Sequence, residues 1–410
     1  MYEVAIIGGG AAGIELAKQC GKNKLSSVVI DYSLDNLGGT CLNKGCIPTK
    51  YYLNISRYNN NLRELYENKN NIVLSIKKLA FDYLRKQGIE FIWGKARLSD
   101  SHTILVDSKK IEARYIVIAT GSKPYSPIEP SREIIFAEDI FSFPQLPDKF
   151  LVIGGGAVGL EIACILNNLG RKVTIVEKEN SILPNFDCSI TQRLKLILEK
   201  KGINFNLAQD IKNYNLKDFD MVILACGRVP NVEDLGLDVL GIVCQNSWIK
   251  TDERLRTNIP NIYSCGDVIG EKLYAYAGLH QARVCVDNIL GKHSYKDYLG
   301  LAQCVFTQPN LATVGILEEE AKSKNIKYKV VKSNFLPFSS SYVYLDTQGF
   351  IEVLFDEDEK IIGAGIISHL ASELISIFSL AIRYGFTISE LRKATFIHPT
   401  ISEIITDIFN

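Results

Sequence analysis

Tyr2-Glu3-Val4-Ala5-Ile6-Ile7-Gly8-Gly9-Gly10-Ala11-Ala12-Gly13 reads as a short apolar strand, a glycine turn and the opening of a helix that runs through Cys20. The glycines permit a tight turn and let the backbone approach a pyrophosphate, which the helix N-terminus attracts. Val28-Val29-Ile30-Asp31 follows as the next strand, and the carboxylate at its end can bond a ribose hydroxyl. A lone Gly-x-Gly-x-x-Gly is weak evidence, because glycine-rich turns are common. Strand, glycines, helix, strand and acid in that order point to a dinucleotide.

The unit recurs. Leu151-Val152-Ile153-Gly154-Gly155-Gly156-Ala157-Val158-Gly159 repeats the first motif, and Val173-Thr174-Ile175-Val176-Glu177 repeats its following strand. First glycine to terminal acid is 23 positions in both copies, 8 to 31 and 154 to 177. Two matched copies predict two dinucleotides. Glu177 favours NAD over NADP at the second site, because a carboxylate there bonds a free 2′-hydroxyl and repels a 2′-phosphate. The competing reading is an ordinary solvated acid at a strand end.

Between the copies lies Gly38-Gly39-Thr40-Cys41-Leu42-Asn43-Lys44-Gly45-Cys46-Ile47-Pro48-Thr49-Lys50. The nearest other cysteines are Cys20 and Cys164, so the set expected of a zinc site is missing and no metal is expected. A dithiol that opens and closes suits a polar, glycine-rich turn, where one thiol can be held partly as thiolate. Two buried cysteines acting as small hydrophobes are the alternative for the pair taken alone.

At 410 residues the chain is long enough for two or three domains. Apolar residues make up 47% and charged residues 22%, the composition of a globular protein with real cores. Lys+Arg and Asp+Glu balance at 46 each, so no global field favours nucleic acid or an anionic membrane. No apolar run approaches the length of a membrane span. Ten scattered cysteines fit a reducing compartment, and Met1 leads straight into a strand, so the expected location is the cytoplasm.

Residues 50 to 87 read as helical, with Leu62, Leu65, Ile72, Ile76, Leu79, Ala80, Tyr83 and Leu84 expected mostly in the core. A buried strand from Tyr115 closes at Ala119-Thr120-Gly121. Residues 123 to 149 hold five prolines and suit a crossing between domains. Further on stand Gly227-Arg228-Val229-Pro230-Asn231, Tyr263-Ser264-Cys265-Gly266-Asp267 and, near the end, Phe396-Ile397-His398-Pro399-Thr400-Ile401-Ser402-Glu403. Thr400 and Glu403 also spell a capping box for a final helix.

Together these motifs resemble, in order and over nearly the whole chain, the flavin-dependent pyridine nucleotide-disulfide oxidoreductases, most of all the dihydrolipoamide dehydrogenase branch. The resemblance implies an α/β chain with two Rossmann-like domains, for FAD and NAD, and a C-terminal α+β dimerisation domain. The implied boundaries are 1–147 and 248–300 for the split FAD domain, 148–247 for NAD, and 301–410 for dimerisation. It makes Cys41 and Cys46 the redox-active pair, His398 the acid–base residue and Glu403 the carboxylate that orients it. Gly8, Gly10, Ala12, Gly13, Asp31, Gly39, Thr40, Ala119, Thr120, Gly121, Gly266 and Asp267 are the implied flavin contacts. Lys50 and Glu161 are implied as a pair near the flavin; the alternative for each is an ordinary exposed helix charge. Gly154, Gly156, Gly159, Glu177, Gly227 and Arg228 complete the implied cofactor residues.

The implied activity is oxidation of protein-bound dihydrolipoamide by NAD⁺ in a homodimer, with a lipoyl domain as partner and neither nucleic acid nor membrane involved. One departure is Phe396, where members acting on lipoamide often carry another histidine. An NADH-dependent reductase of another small disulfide is the alternative enzyme, and a flavoprotein sensor without turnover the alternative of another class. The stretch between Phe205 and Asp218 is shorter than the family's hairpin there.

Overall fold

The computed structural model describes residues 1–409 as three large sheets, each with its own helices, and two two-stranded ribbons. The first is a mixed sheet whose parallel core runs Glu90–Trp93, Ser27–Asp31, Tyr2–Ile7, Lys109–Ile118. Lys109–Ile118 also pairs in parallel with Ile262–Ser264, more than 140 residues later, which returns the chain to the first sheet. Ile7, Ile30, Ile118 and Ser264 all lie at the same level of the sheet. Their C-terminal extensions, Gly8, Asp31, Ala119 and Cys265, therefore share one edge, where open α/β sheets bind ligands.

The second sheet is wholly parallel, in the order Asn204–Asn206, Lys172–Val176, Lys149–Ile153, Met221–Leu224, Ile134–Phe136. Its strands are apolar runs because both faces are covered. Two boundaries differ from those expected at 148 and 247. Ile134–Phe136 already belongs to the second sheet, whereas Leu235, Leu237 and Ile242 pack in the core of the first. The crossing itself is a two-stranded ribbon, Ser122–Pro124 antiparallel to Arg228–Pro230, through which the chain leaves and re-enters the first domain.

The third sheet is antiparallel, ordered Gln303–Val305, Asn310–Gly315, Ile361–Ser368, Phe350–Phe355, Lys329–Asn334. Helix Ala371–Tyr384 covers it through Ala371, Leu374, Ile375, Phe378 and Ala381.

The helical stretch after Lys50 divides into Cys46–Ile55 and Leu62–Lys86. Asn61 starts the second helix by accepting the Glu64 N–H at 3.3 Å. Its buried face is Leu65, Lys69, Val73, Lys77 and Leu84, the Lys77 ammonium donating to Asp35 O at 2.5 Å. Ile72, Ile76, Leu79 and Tyr83, expected in the core, are instead exposed in the single chain, Leu79 at 71%. The helix runs 25 residues but only one stripe meets the domain, so the second apolar stripe faces outward. No helix among the described residues is long and apolar enough to cross a membrane.

Candidate active site

The two glycine turns are superposable in their chemistry. A Cβ on Gly8 would stand 2.4 Å from Ala119 O, and one on Gly154 would stand 2.4 Å from Ala225 O. On Gly13 it would meet Gly8 O at 1.9 Å, and on Gly159 it would meet Gly154 O at 2.0 Å. Those glycines are required by the protein's own packing. Gly10 and Gly156 are different: the nearest atom to a Cβ on Gly10 is 3.9 Å away, and nothing lies within 4 Å of one on Gly156. Each leaves a cradle at the start of a helix, Ala11–Lys22 or Ala157–Asn168, that has neither a side-chain cap nor an acid in its first turn. Free N–H groups facing open space fit a pyrophosphate at both places.

The terminal acids also match. Asp31 accepts the Gly9 N–H and the Tyr32 N–H, both at 2.7 Å, and burial raises its pKa. Glu177, buried, accepts the Gly155 N–H at 2.7 Å and the Glu179 N–H at 2.9 Å. Each carboxylate oxygen has a second lone pair left for a ribose hydroxyl. At the first cradle Gly39 closes in so tightly that a Cβ there would lie 2.9 Å from Gly10 Cα. With Gly38 and Gly39 at φ of 93° and 58°, the turn brings Thr40 and Cys41 to the cradle's rim.

Cys41 lies in the short helix Gly39–Asn43, and Cys46 opens helix Cys46–Ile55. Both are free thiols, and Cys41 hydrogen-bonds Cys46. That bond pulls the Cys46 pKa down to about 7, with Arg228 adding its charge against the opposing effects of burial and Asp267. The Cys41 pKa is pushed up, first by the same hydrogen bond and then by burial. The pair thus favours the proton on Cys41 and thiolate character on Cys46, at the N-terminus of a helix.

Arg228 and Asp267 meet through Ser122, a residue the motifs did not single out. Arg228 Nε donates to Ser122 Oγ at 2.7 Å, and Ser122 Oγ donates to Asp267 Oδ2 at 2.7 Å. Arg228 also pairs with Glu138 at 3.2 Å. Thr120 Oγ1 donates to Asn231 O at 2.6 Å, tying the Ala119-Thr120-Gly121 turn to the end of the ribbon. Gly121 and Gly227 have φ of 72° and 105°. Gly266, whose N–H donates to the fully buried Gln281 at 2.6 Å, would press a Cβ 3.1 Å from that of Ala12. Ser122 follows the Ala-Thr-Gly turn directly, and that adjacency was the only signal for it.

Lys50 and Glu161 do not close the expected ion pair. Lys50 Nζ sits 4.0 Å over the Phe306 ring, and Glu161 Oε1 accepts the Phe306 N–H at 2.9 Å. Burial raises the Glu161 pKa to about 7 and lowers that of Lys50. They still feel each other's charge, with Cys46 and Cys304 nearby.

His398 lies far along the chain with its side chain 73% exposed. Its Nδ1 is 2.7 Å from Glu403 Oε1, and Glu403 Oε2 accepts the Thr400 N–H at 2.8 Å. Within one chain no hydrogen bond joins His398 to the dithiol. Among the described residues no cluster of His, Cys, Asp or Glu is arranged to hold a metal ion.

The family model for pyridine nucleotide-disulphide oxidoreductases matches residues 2–288, and that for their dimerisation domain matches residues 301–408. The chain belongs to this family. It is 35% identical to a dihydrolipoyl dehydrogenase of Buchnera aphidicola from Schizaphis graminum, over 98% of this chain and 94% of the relative. A dihydrolipoyl dehydrogenase of Chlamydia pneumoniae is 30% identical, covering 98% and 95%. Among solved structures, the HOCl-induced flavoprotein disulfide reductase RclA from Escherichia coli superposes with a TM-score of 0.94 at 28% identity, covering 100% of this chain and 99% of that one. As a pyridine nucleotide-disulphide oxidoreductase the protein uses FAD and NAD(H), which the two cradles fit, and its dimerisation domain makes it a homodimer.

Proposed function

We propose that the protein is a dihydrolipoyl dehydrogenase, oxidising the dihydrolipoamide of a lipoyl domain with NAD⁺. The observation that carries this reading is the Cys41 and Cys46 dithiol, five positions apart at the opening of helix Cys46–Ile55, in a chain that aligns over 98% of its length with enzymes of that name. Bound FAD supplies two-electron transfer between the dithiol and the nicotinamide.

The chain's residues supply the rest. Glu403 fixes the His398 ring through Nδ1, leaving Nε2 to take the proton of a substrate thiol. In the oxidised enzyme the substrate thiolate attacks Cys41 Sγ, the Cys41–Cys46 bond breaks, and Cys46 leaves as thiolate. A thiol with a pKa near 7 is the better leaving group of the two. The second substrate sulfur then attacks the first, freeing the cyclic disulfide and leaving both enzyme cysteines reduced. The substrate loses two electrons and the enzyme disulfide gains them.

Gly8, Gly10, Ala12, Gly13, Asp31, Gly39, Thr40, Ala119, Thr120, Gly121, Gly266 and Asp267 would hold FAD, with Lys50 and Glu161 beside Cys46. Gly154, Gly156, Gly159, Glu177, Gly227 and Arg228 would serve NAD. Since His398 reaches no cysteine in its own chain, it would act on the dithiol of the partner subunit.

The likeness to RclA supports a second reading, an NADH-dependent reductase of another disulfide, and Phe396 leans the same way. A steady-state comparison of dihydrolipoamide with NAD⁺ and with NADP⁺, beside NADH with lipoamide and with glutathione disulfide, separates them. Turnover of dihydrolipoamide with NAD⁺ is expected; a preference for another disulfide over lipoamide would overturn the reading.

A further inference from the structure

Away from both cradles a pocket of about 300 Å³ is walled by Arg57, Asn168, Lys201, Gln308 and His369. Its walls come from all three sheets' neighbourhoods. Arg57 follows the helix that carries Cys46 and Lys50, and Asn168 ends the helix that carries Glu161. Lys201 caps helix Cys188–Lys200, Gln308 lies between two strands of the third sheet, and His369 follows Ile361–Ser368.

The amides are spent on the walls. Asn168 Nδ2 donates to Ser56 Oγ at 3.0 Å and to Gln308 Oε1 at 2.9 Å, and Gln308 Nε2 donates to Leu53 O. The cationic side is not spent. Arg57 makes no hydrogen bond or ion pair with any described residue, and Lys201 donates once, to Gln308 O at 2.8 Å. His369 Nδ1 is buried without a partner. The acid of the neighbourhood, Asp346, is turned to Ser368 Oγ and to the His369 N–H at 3.0 Å. Cys164, Glu161 and Lys50 are the other ionisable groups sharing this field, and burial drives all three toward their neutral forms.

The exposed Arg57 guanidinium and Lys201 ammonium share this concave wall with an imidazole nitrogen that has no partner, which gives the site positive potential. Such a site suits a multiply charged oxyanion, since a guanidinium fork and an ammonium converge on phosphate geometry. A single carboxylate would engage the Arg57 fork and leave the donors on the other walls unused.

We propose that this pocket binds a phosphate group, free or on a small molecule, held by Arg57, Lys201 and His369 where the three regions of the chain meet. Burial and the charges of Arg57 and Lys201 bring the His369 pKa down to about 4 with the pocket empty of anion. A bound dianion reverses that field, so binding takes up a proton and tightens as pH falls.

The test is thermal melting of the FAD-loaded homodimer, saturated with NADH so that the Gly154–Gly159 cradle is filled. Inorganic phosphate, glucose 6-phosphate and sulfate are titrated against sodium chloride of equal ionic strength. A saturable rise in Tm of about 2–4 °C is expected beyond that of chloride. Arg57→Gln and Lys201→Gln should each weaken the response about tenfold, while Arg57→Lys and Lys201→Arg keep most of it. Tighter binding of glucose 6-phosphate than of phosphate would assign the site to a phosphorylated small molecule; the reverse order would assign it to free phosphate. Sulfate stays dianionic throughout, so its affinity should rise from pH 8 to pH 6 in the native protein and stay flat in His369→Asn. No rise beyond chloride, or an equal rise in the Arg57→Gln Lys201→Gln protein, would overturn the proposal.

Discussion

Glu403 holds His398 with one oxygen and the backbone of its own helix turn with the other, at 2.7 Å to Nδ1 and 2.8 Å to the Thr400 N–H. Capping and orienting, which compete in the sequence, are therefore one arrangement. Two hydrogen bonds also lower the Glu403 pKa, the Thr400 N–H contributing most and His398 next, so the carboxylate is ionised and accepts. The proton then sits on Nδ1, and Nε2 faces outward as the base.

Glu403→Gln should separate the two roles. A glutamine has one accepting oxygen, and the Thr400 N–H and the imidazole N–H both require it. Turnover of the dithiol substrate should fall about ten- to a hundredfold in kcat, while stability changes little. Unchanged kcat alongside a shifted denaturation midpoint would leave Glu403 a cap and nothing more.

Cys41→Ala and Cys41→Ser test the thiolate. In the reduced, flavin-free protein the Cys46 thiolate should form with a midpoint near pH 7, because the Cys41 thiol donates to it. Cys41→Ala removes the donor and should move that midpoint up toward an ordinary thiol; Cys41→Ser, whose hydroxyl still donates, should move it less. Spectroscopic titration of the thiolate reads both. Identical midpoints in the three proteins would assign the shift to the helix N-terminus and Arg228 instead.

Short-range patterns carried most of what was legible. Strand, glycines, helix and acid lie within one stretch of chain, so Gly8 to Asp31 and Gly154 to Glu177 could be read without knowing what they pack against. Tertiary placement was not legible. Ile134–Phe136 is three residues among prolines, and only its pairing with Met221–Leu224 makes it a strand. Leu79 and Ile76 have the periodicity of a core, yet the domain covers only one side of their helix. Ser122 matters because of Arg228 and Asp267, which are distant in sequence.

Glu161 gives a pH-dependent stability with a definite sign. Its pKa is raised from 4.5 to about 7, chiefly by burial, so the native state binds a proton that the unfolded chain releases above pH 4.5. Stability from this group is therefore present below pH 4.5 and lost as pH rises through about 7, a difference on the order of 3 kcal/mol. Glu161→Gln keeps the acceptor for the Phe306 N–H and removes the charge. It should stabilise the protein at pH 8 and have little effect near pH 4.5, as read by denaturant melts. Equal effects at both pH values would contradict the burial argument.

Gly156→Val and Glu177→Ala separate the two ends of the second cradle. The valine fills space that no protein atom uses, so the fold should survive while NADH affinity falls at least tenfold. The alanine should cut the preference for NAD⁺ over NADP⁺ by about 1–3 kcal/mol, from the ratio of kcat/KM values. A Gly156→Val protein with native NADH affinity would remove the pyrophosphate from that cradle.

The exposed His398 and a dithiol that it does not bond within its own chain make the strongest demand on the dimer. If each active site joins Cys41 and Cys46 of one subunit to His398 of the other, a C₂ dimer holds two composite sites. Cys46→Ser and His398→Ala homodimers should then both be inactive in dithiol turnover. When they are dissociated, mixed in equal amounts and reassociated, each heterodimer contains one site with both lesions and one site with none. Random pairing makes half the dimers heterodimers, each with one working site of two, so about a quarter of native activity should return. Were His398 to serve the cysteines of its own chain, every site would keep one lesion and the mixture would stay inactive. Mass spectrometry of the reassociated dimers supplies the control: heterodimers present without any recovery would rule out the shared site.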